Sequence, residues 1–467
     1  MSRCWSCLFL TPLVIIGLVS FYFVYVFYLM SPPPLPTLDL EEWWGPTESR
    51  VQDTSVRPFT IRFEETMVKD LKQRLKSHRS WTPGLQGVGF QYGFNHDQLP
   101  EWITYWAEQY NFTEREKFLN QFPQYKTKIQ GLDIHFIRVK PKFPDGTVTV
   151  PMLFMHGWPG SVREFYEALP LLTAISKDRD FAIEAIIPSL PGYCFSDAPI
   201  RPGLGAAQVA IVLRNLMRRL GFKTFYIQGG DWGSLIGAEM ATIFPEEILG
   251  FHNNLPVATS SKANLLTLLG SLYPPLIVDS HLQDRMYPLS KIIAYQLEEF
   301  GYSHIQATKP DTLGVGLSDS PTGLLAYILE KFSTWTRTEY RGQSDGGLGM
   351  WDKDKLLDNI MLYWSNGCIT SSMRFYAENN NVTYWSLGLS EIPTPVPMWG
   401  LQAKNEITYQ PPAVLRFKYP NLLRTNPLEV GGHFIALELP ELFAKDVLTA
   451  VAEFRSSSLA HLLKYEL

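Results

Sequence analysis

Phe225-Tyr-Ile-Gln-Gly-Gly-Asp-Trp-Gly-Ser-Leu-Ile-Gly237 passes from an apolar, strand-like run through glycines into a helix expected over about Ser234 to Phe244. Small residues on both sides of Asp231 permit a sharp strand-to-helix turn that lifts one side chain out of a sheet and aims it at a ligand. The side chain lifted here is a carboxylate. Such a group attacking a carbonyl would give a labile anhydride, whereas attack on a strained or activated sp³ carbon gives an ordinary ester that water can hydrolyse. Alone, Gly-Gly-Asp reads equally well as a plain turn whose Asp caps the next helix.

Working outward, strand-like runs Leu132 to Val139, Val148 to Met155, Phe181 to Ile187, Phe225 to Gln228 and Ile248 to Asn253 alternate with helical ones such as Ala206 to Leu220. That alternation predicts a mostly parallel, doubly wound sheet. Residues 258 to 390 carry helical runs and few strand signals, and the alternation resumes with Pro397 to Leu401 and Arg416 to Leu422. The expected architecture is an α/β-hydrolase fold: core over 131–257 and 395–467, and a helical cap over 258–394. Before it, residues 37–130 form an N-terminal extension with helical stretches Glu64 to His78 and Pro100 to Asn120 and five tryptophans, Trp43, Trp44, Trp81, Trp102 and Trp106.

The elbow's partners should then stand at later strand ends. Gly431-Gly-His-Phe434 follows the last expected strand, which makes His433 the candidate base for activating water. A carboxylate should orient that imidazole, and between Pro395 and His433 the only acids are Glu406 and Glu429. Glu429 is too close in sequence to come from a neighbouring strand, so Glu406 is the candidate. Its bland reading is a solvated loop acid. His156-Gly-Trp-Pro159 follows the strand ending at Met155, where this fold places half of an oxyanion hole, so the backbone N–H groups of Trp158 and Trp232 are the expected donors and His156 a brace. An opening epoxide would also need a proton donor for its oxygen. Tyr302 and Tyr376 lie in the expected cap, but among 22 tyrosines position alone does not select them.

A net charge of −5 over 467 residues, with mixed signs, carries no footprint for nucleic acid, and an uncharged substrate fits better. Four cysteines make no disulfide framework; Cys4 and Cys7 read as juxtamembrane thiols, leaving Cys194 and Cys368 in the body. Leu8 to Met30 is a 23-residue run without a charge, long enough to cross a bilayer, and bulky Tyr25, Phe27 and Tyr28 argue against a cleaved signal. Residues 1–36 therefore read as a single-pass anchor with a stiff Pro-rich spacer, Ser31 to Pro36. Orientation stays open; Asn111-Phe-Thr113 and Asn381-Val-Thr383 are sequons that only a lumenal body could use.

An ordered set of motifs resembles the microsomal epoxide hydrolase family over essentially the whole chain: Glu42-Trp-Trp-Gly-Pro46, Tyr92-Gly-Phe-Asn95, Gly131-Leu-Asp-Ile-His-Phe136, His156-Gly-Trp-Pro-Gly160, Gln228-Gly-Gly-Asp-Trp-Gly-Ser234, Thr308-Lys-Pro-Asp-Thr312, Leu329-Glu-Lys-Phe-Ser-Thr-Trp335 and Gly431-Gly-His-Phe434. The resemblance implies Asp231 as nucleophile, Glu406 and His433 as the charge-relay pair, and Tyr302 and Tyr376 as the groups gripping the epoxide oxygen. It implies no metal and no organic cofactor, and residence in the endoplasmic reticulum membrane; a homo-oligomer is left open. Gly160-Ser-Val-Arg-Glu-Phe-Tyr166 and Thr370-Ser-Ser-Met-Arg374 are most similar to the insect juvenile hormone epoxide hydrolases, implying a lipophilic terpenoid epoxide, with xenobiotic epoxides as the alternative. Cys194 stands where the family usually has Gly. Two rivals remain: a haloalkane dehalogenase, which shares the Asp-Trp-Gly elbow, and an inactive membrane-bound binder of lipophilic ligands.

Overall fold

The computed structural model describes residues 22, 24–47, 53–141 and 148–465. Among these, nine strands form one sheet: β1 (Arg57–Phe59), β2 (Gln124–Ile129), β3 (Leu132–Val139), β4 (Val148–Met155), β5 (Phe181–Pro188), β6 (Phe225–Gly229), β7 (Ile248–Asn253), β8 (Met398–Gln402) and β9 (Leu422–Pro427). Their spatial order is β1-β2-β3-β5-β4-β6-β7-β8-β9. From β5 to β9 every pairing is parallel, and β1 to β3 form an antiparallel margin. β5, β6 and β8 are buried at every position, as parallel strands covered on both faces must be, which is why they read as mainly apolar runs without a polar alternation. Helices Ala206–Arg219, Trp232–Ile243 and Pro440–Tyr465 pack on the sheet.

Three expectations change. The extension is not only helical: it supplies β1 and β2, and Gln130–Gly131 is the two-residue turn of the β2–β3 hairpin, with φ of 49° and 87°. Positive φ at both central residues is what lets a tight turn match the twist of its strands. The strand expected over Arg416 to Leu422 is also displaced. Pro412 starts a short helix, Pro412–Leu415, and the Lys418 ammonium is buried and tied to Leu389 O and Ile392 O, each at 2.7 Å, and to Thr242 Oγ1 at 3.0 Å. Residues 416–421 are thereby committed to a turn, and the ladder with β8 begins only at Leu422. The long helix expected over Pro100 to Asn120 divides into Leu99–Thr104, a π-helical turn Tyr105–Gln109 and Phe112–Leu119, the last capped by Asn111.

Between β7 and β8 lies a helical region that includes Ser261–Gly270, Leu289–Glu299, Gly301–Thr308, Pro310–Asp319, Pro321–Thr334, Lys353–Trp364 and Ile369–Asn379. Its Asp358, fully buried, accepts hydrogen bonds from Arg163 Nε at 2.9 Å, Arg115 Nε at 2.9 Å and Tyr110 Oη at 3.0 Å. One carboxylate so joins helical region, sheet domain and extension. The anchor expected at residues 8–30 lies, apart from Tyr22 and the residues from Val24 on, outside the described residues, as do Cys4 and Cys7. Among the described residues no helix is long and apolar enough to cross a membrane. The run ends in a π-helical turn, Tyr25–Leu29, where Val26 is buried and the Phe27 ring lies 5.9 Å from that of Phe417.

Candidate active site

β6 ends at Gly229 and the next helix starts at Trp232, so the chain reverses within two residues and Asp231 is held at φ 48°, ψ −126°. A non-glycine residue there stores on the order of 1–3 kcal/mol, tolerated only where the surroundings over-determine it. They do: a Cβ on Gly233 would stand 2.1 Å from Met155 O of β4, and one on Gly157 would stand 2.1 Å from Asp231 Oδ1. Close approach, rather than flexibility, demands glycine at both positions. The Trp158 N–H donates to Asp231 Oδ1 at 2.8 Å. The Trp232 N–H is among the first amides of its helix, which have no intrahelical acceptor, and the positive end of the helix dipole lies beside Asp231.

Opposite, His433 Nε2 is 3.3 Å from Asp231 Oδ2, and its Nδ1 is 2.6 Å from Glu406 Oε1. The His433 turn is fixed from both sides. The His433 N–H donates to Trp335 O at 2.9 Å, and Glu438 accepts from the N–H groups of Gly432 at 2.9 Å and Phe434 at 3.0 Å. Burial alone would lower the His433 pKa, but the adjacent Glu406 and Asp231 carboxylates outweigh it and raise it well above the ordinary imidazole value. The two carboxylates thus favour the protonated form of the imidazole. His156 is its opposite: burial pushes its pKa down to about 4, and the neutral ring accepts from Leu190 N–H at 3.2 Å while Nδ1 pairs with Gly157 O at 2.9 Å. It ties the loop bearing Trp158 to the end of β5.

Helices Gly301–Thr308 and Ile369–Asn379 pack against each other and bring Tyr302 and Tyr376 over the elbow. Their rings meet edge to face at 5.9 Å; the Trp158 ring stacks on Tyr302 at 5.4 Å, and Trp232 meets Tyr376 at 4.7 Å. Burial first, and then the Asp231 charge, hold the Tyr302 hydroxyl well above its usual value; Tyr376 is raised by burial, Tyr302 and Asp231 in turn. Both hydroxyls are therefore protonated at neutral pH and can donate. The structure brings together Asp231, His433, Glu406, Tyr302, Tyr376 and the backbone of Trp158 and Trp232, residues drawn from six separate stretches of chain.

Sequence reasoning passed over Glu164. Ser161 caps the short turn Val162–Phe165, which carries Glu164 into the field of the triad, where burial, opposed by His433 and reinforced by Asp231 and Glu406, pushes its pKa up to about 8. Its only sequence signal was an acid a few residues after His156-Gly-Trp-Pro-Gly160 in apolar company. Cys194 has φ 47°, a conformation glycine adopts without strain, and its N–H donates to Cys368 Sγ at 3.0 Å. The loop geometry is the same one a glycine would favour.

A family model described as epoxide hydrolase N terminus matches residues 56–165, and one described as alpha/beta hydrolase fold matches residues 150–285. The juvenile hormone epoxide hydrolase of Bombyx mori is 58% identical over 446 residues, covering 95% of this chain and 96% of that protein. The chain belongs to the epoxide hydrolase family. Epoxide hydrolase 1 of Oryctolagus cuniculus is 41% identical, covering 93% of this chain and 96% of that protein. The crystal structure of juvenile hormone epoxide hydrolase from the silkworm Bombyx mori aligns with a TM-score of 0.89 at 60% identity, covering 90% of this chain and 100% of that one. Epoxide hydrolase relatives spanning nearly the full length leave neither the dehalogenase nor the inactive-binder alternative favoured.

Proposed function

We propose that this epoxide hydrolase converts lipophilic epoxides, foremost terpenoid epoxides like juvenile hormone, to vicinal diols through a covalent ester on Asp231. The observation that carries the reading is the joint placement of an Asp231–His433–Glu406 array and two protonated tyrosines, half-buried Tyr302 and buried Tyr376, around one carboxylate. A carboxylate oxygen of Asp231 attacks an epoxide carbon, the C–O bond breaks, and the departing oxygen takes a proton from Tyr302 or Tyr376 instead of being left as a bare alkoxide in a dry site.

Esterification removes the Asp231 charge. His433 then holds its proton less firmly, with Glu406 as its remaining anionic neighbour, and yields it to restore the tyrosine. The neutral imidazole, oriented by Glu406, takes a proton from water as the hydroxide attacks the ester carbonyl. The Trp158 and Trp232 N–H groups stabilise the oxyanion until collapse releases the diol and regenerates carboxylate and imidazolium. The juvenile hormone substrate is supported by the names of the relatives that match over nearly the whole chain. Residues 8–30 supply a single-pass anchor in the endoplasmic reticulum membrane, supported by the length and apolarity of that run.

The test is chemical. Asp231→Ala abolishes diol formation, and His433→Gln traps the ester as added mass on the peptide containing Asp231. Label on any other residue, or a bromoalkane turned over faster than every epoxide in a panel of juvenile-hormone-like and aromatic epoxides, overturns the reading. Release of the full chain from microsomes by alkaline carbonate would refute the anchor.

A further inference from the structure

From Ala263 to Val278 the chain carries no charged side chain. Such a stretch belongs in a core, yet here much of it faces outward: Leu268, Leu272, Tyr273 and Leu276 are 59%, 83%, 60% and 77% exposed. Just beyond, Ile293 and Leu297, one turn apart on helix Leu289–Glu299, are 55% and 80% exposed. Single exposed apolar residues need no explanation, but six large ones within thirty residues of chain are an excess that water should disfavour.

The loop is a built element. Gly270 sits so close beneath Ile277 and Tyr287 that a Cβ there would lie 2.2 Å from Ile277 Cδ1, and the Tyr287 hydroxyl donates to Thr267 O at 2.8 Å. Ile277 and Tyr287 are turned inward, so the leucines at the tip point out because the fold holds them there.

Two neighbours say what covers these side chains. Helix Ser261–Gly270, which leads into it, packs against the π-helical turn Tyr25–Leu29, the end of the 23-residue uncharged N-terminal run. The loop therefore shares a flank with the one segment of the chain suited to a bilayer. On the other side, helix Leu289–Glu299 turns Tyr295 inward, where its hydroxyl is raised by burial and then by Glu299 and Glu406; the Tyr295 ring is 6.1 Å from Phe300, itself 5.9 Å from Tyr302. One helix thus shows an apolar face to the outside and an aromatic face to the candidate active site.

We propose that the tip Leu268–Leu276 and the outer face of helix Leu289–Glu299 insert into the interfacial layer of a phospholipid bilayer, so that membrane-dissolved epoxide reaches the site from the lipid side. The inference rests on the anchor reading above but makes a separate claim: the catalytic body itself is seated in the membrane, rather than tethered at a distance by residues 31–36. Burial of four such side chains in lipid is favourable in proportion to their area and sets the tilt of an anchored body.

The test uses the full chain in phosphatidylcholine vesicles. A nitrobenzoxadiazole label is placed by Leu272→Cys in a Cys4→Ser, Cys7→Ser background, with Leu85→Cys, an exposed site on the extension, as comparison. The label at 272 is expected to shift to the blue and be quenched by lipids with a shallow nitroxide, the label at 85 not. Separately, the combined variant Leu268→Ser, Leu272→Ser, Tyr273→Ser, Leu276→Ser should still float with vesicles, keep its kcat/KM on a water-soluble epoxide, and show KM for a bilayer-dissolved epoxide raised roughly tenfold, since lost apolar contact weakens seating without touching the site. Equal, lipid-independent fluorescence at 272 and 85 while the protein still floats overturns the proposal alone. A chain that never floats overturns the anchor reading instead. Protection at 272 that follows protein concentration in detergent, and not lipid quencher, assigns these side chains to a second copy and refutes the bilayer.

Discussion

His433 and the two tyrosines show how single side chains acquire chemistry from their neighbours. His433 is raised by two carboxylates against its own burial, so removing one should be visible directly. In Asp231→Ala the imidazole is expected to titrate at lower pH than in the wild type, followed by the histidine ring resonances; an unchanged titration would mean that Asp231 does not govern the base. Tyr302 and Tyr376 meet edge to face beside Asp231 and are both protonated. Either Tyr→Phe change alone should lower kcat for epoxide opening by roughly tenfold to a hundredfold, and the double change by more than either, because general-acid help is worth about 10²–10⁴ in rate and one hydroxyl can partly replace the other. Full activity in the double variant would remove them from the mechanism. Of these residues, Asp231 and His433 were legible from their glycine-flanked turns. Tyr302 and Tyr376 were not, because tyrosine carries no local signature when twenty others compete.

Among the elements, the decisive feature is that extension, sheet domain and helical region are locked by a carboxylate buried far from solvent. Asp358 neutralises Arg163 and Arg115 and receives the Tyr110 hydroxyl, and Tyr105 repeats the link through Asp354 at 2.9 Å. Removing one partner of a buried ion pair leaves an uncompensated charge, which typically destabilises by roughly 3–5 kcal/mol. Asp358→Ala is therefore expected to unfold at a clearly lower temperature in calorimetry and to lose activity with it, whereas Asp311→Ala, which breaks the exposed Arg374 pair, should change the melting point little. The sequons are also structural: Asn111 accepts from Glu114 N–H at 3.2 Å and Asn381 from Tyr384 N–H at 2.9 Å, each capping a helix. At this scale the sequence was readable wherever one periodicity ran unbroken, as in β3, β4 and β7. It misled where a polar anchor overrode pattern, as at Lys418, and β2 was missed because Lys126 and Lys128 are half-buried at the margin of the sheet and interrupt its apolar pattern.

For the whole molecule, the triad lies among acids that folding makes less acidic. Glu164 and Glu438 are both pushed up to about 8, chiefly by burial, from an ordinary 4.5. Between those values the folded state binds more protons than the unfolded one, so their contribution is fully present below about pH 4.5 and is lost as pH rises toward 8; His433, also raised, acts in the same direction above its ordinary value of 6.5. Stability should therefore fall from about pH 4.5 to about pH 8, and Glu164→Gln should flatten that slope in denaturant titrations at several pH values; an equal slope would show that Glu164 is ionised throughout. By itself the sequence determined the hydrolase class and the elbow, and offered Asp231 as the candidate nucleophile, because strand periodicity and steric demand for glycine are local and survive in one dimension. The folded chain decided how Tyr302 and Tyr376, which only the family resemblance had singled out, meet above Asp231, that Glu164 joins the same field, that Asp358 ties three regions together, and which leucines are left outside. Those properties depend on distances between residues hundreds of positions apart and on how far burial strips water from a charge, and neither quantity exists until the chain has packed.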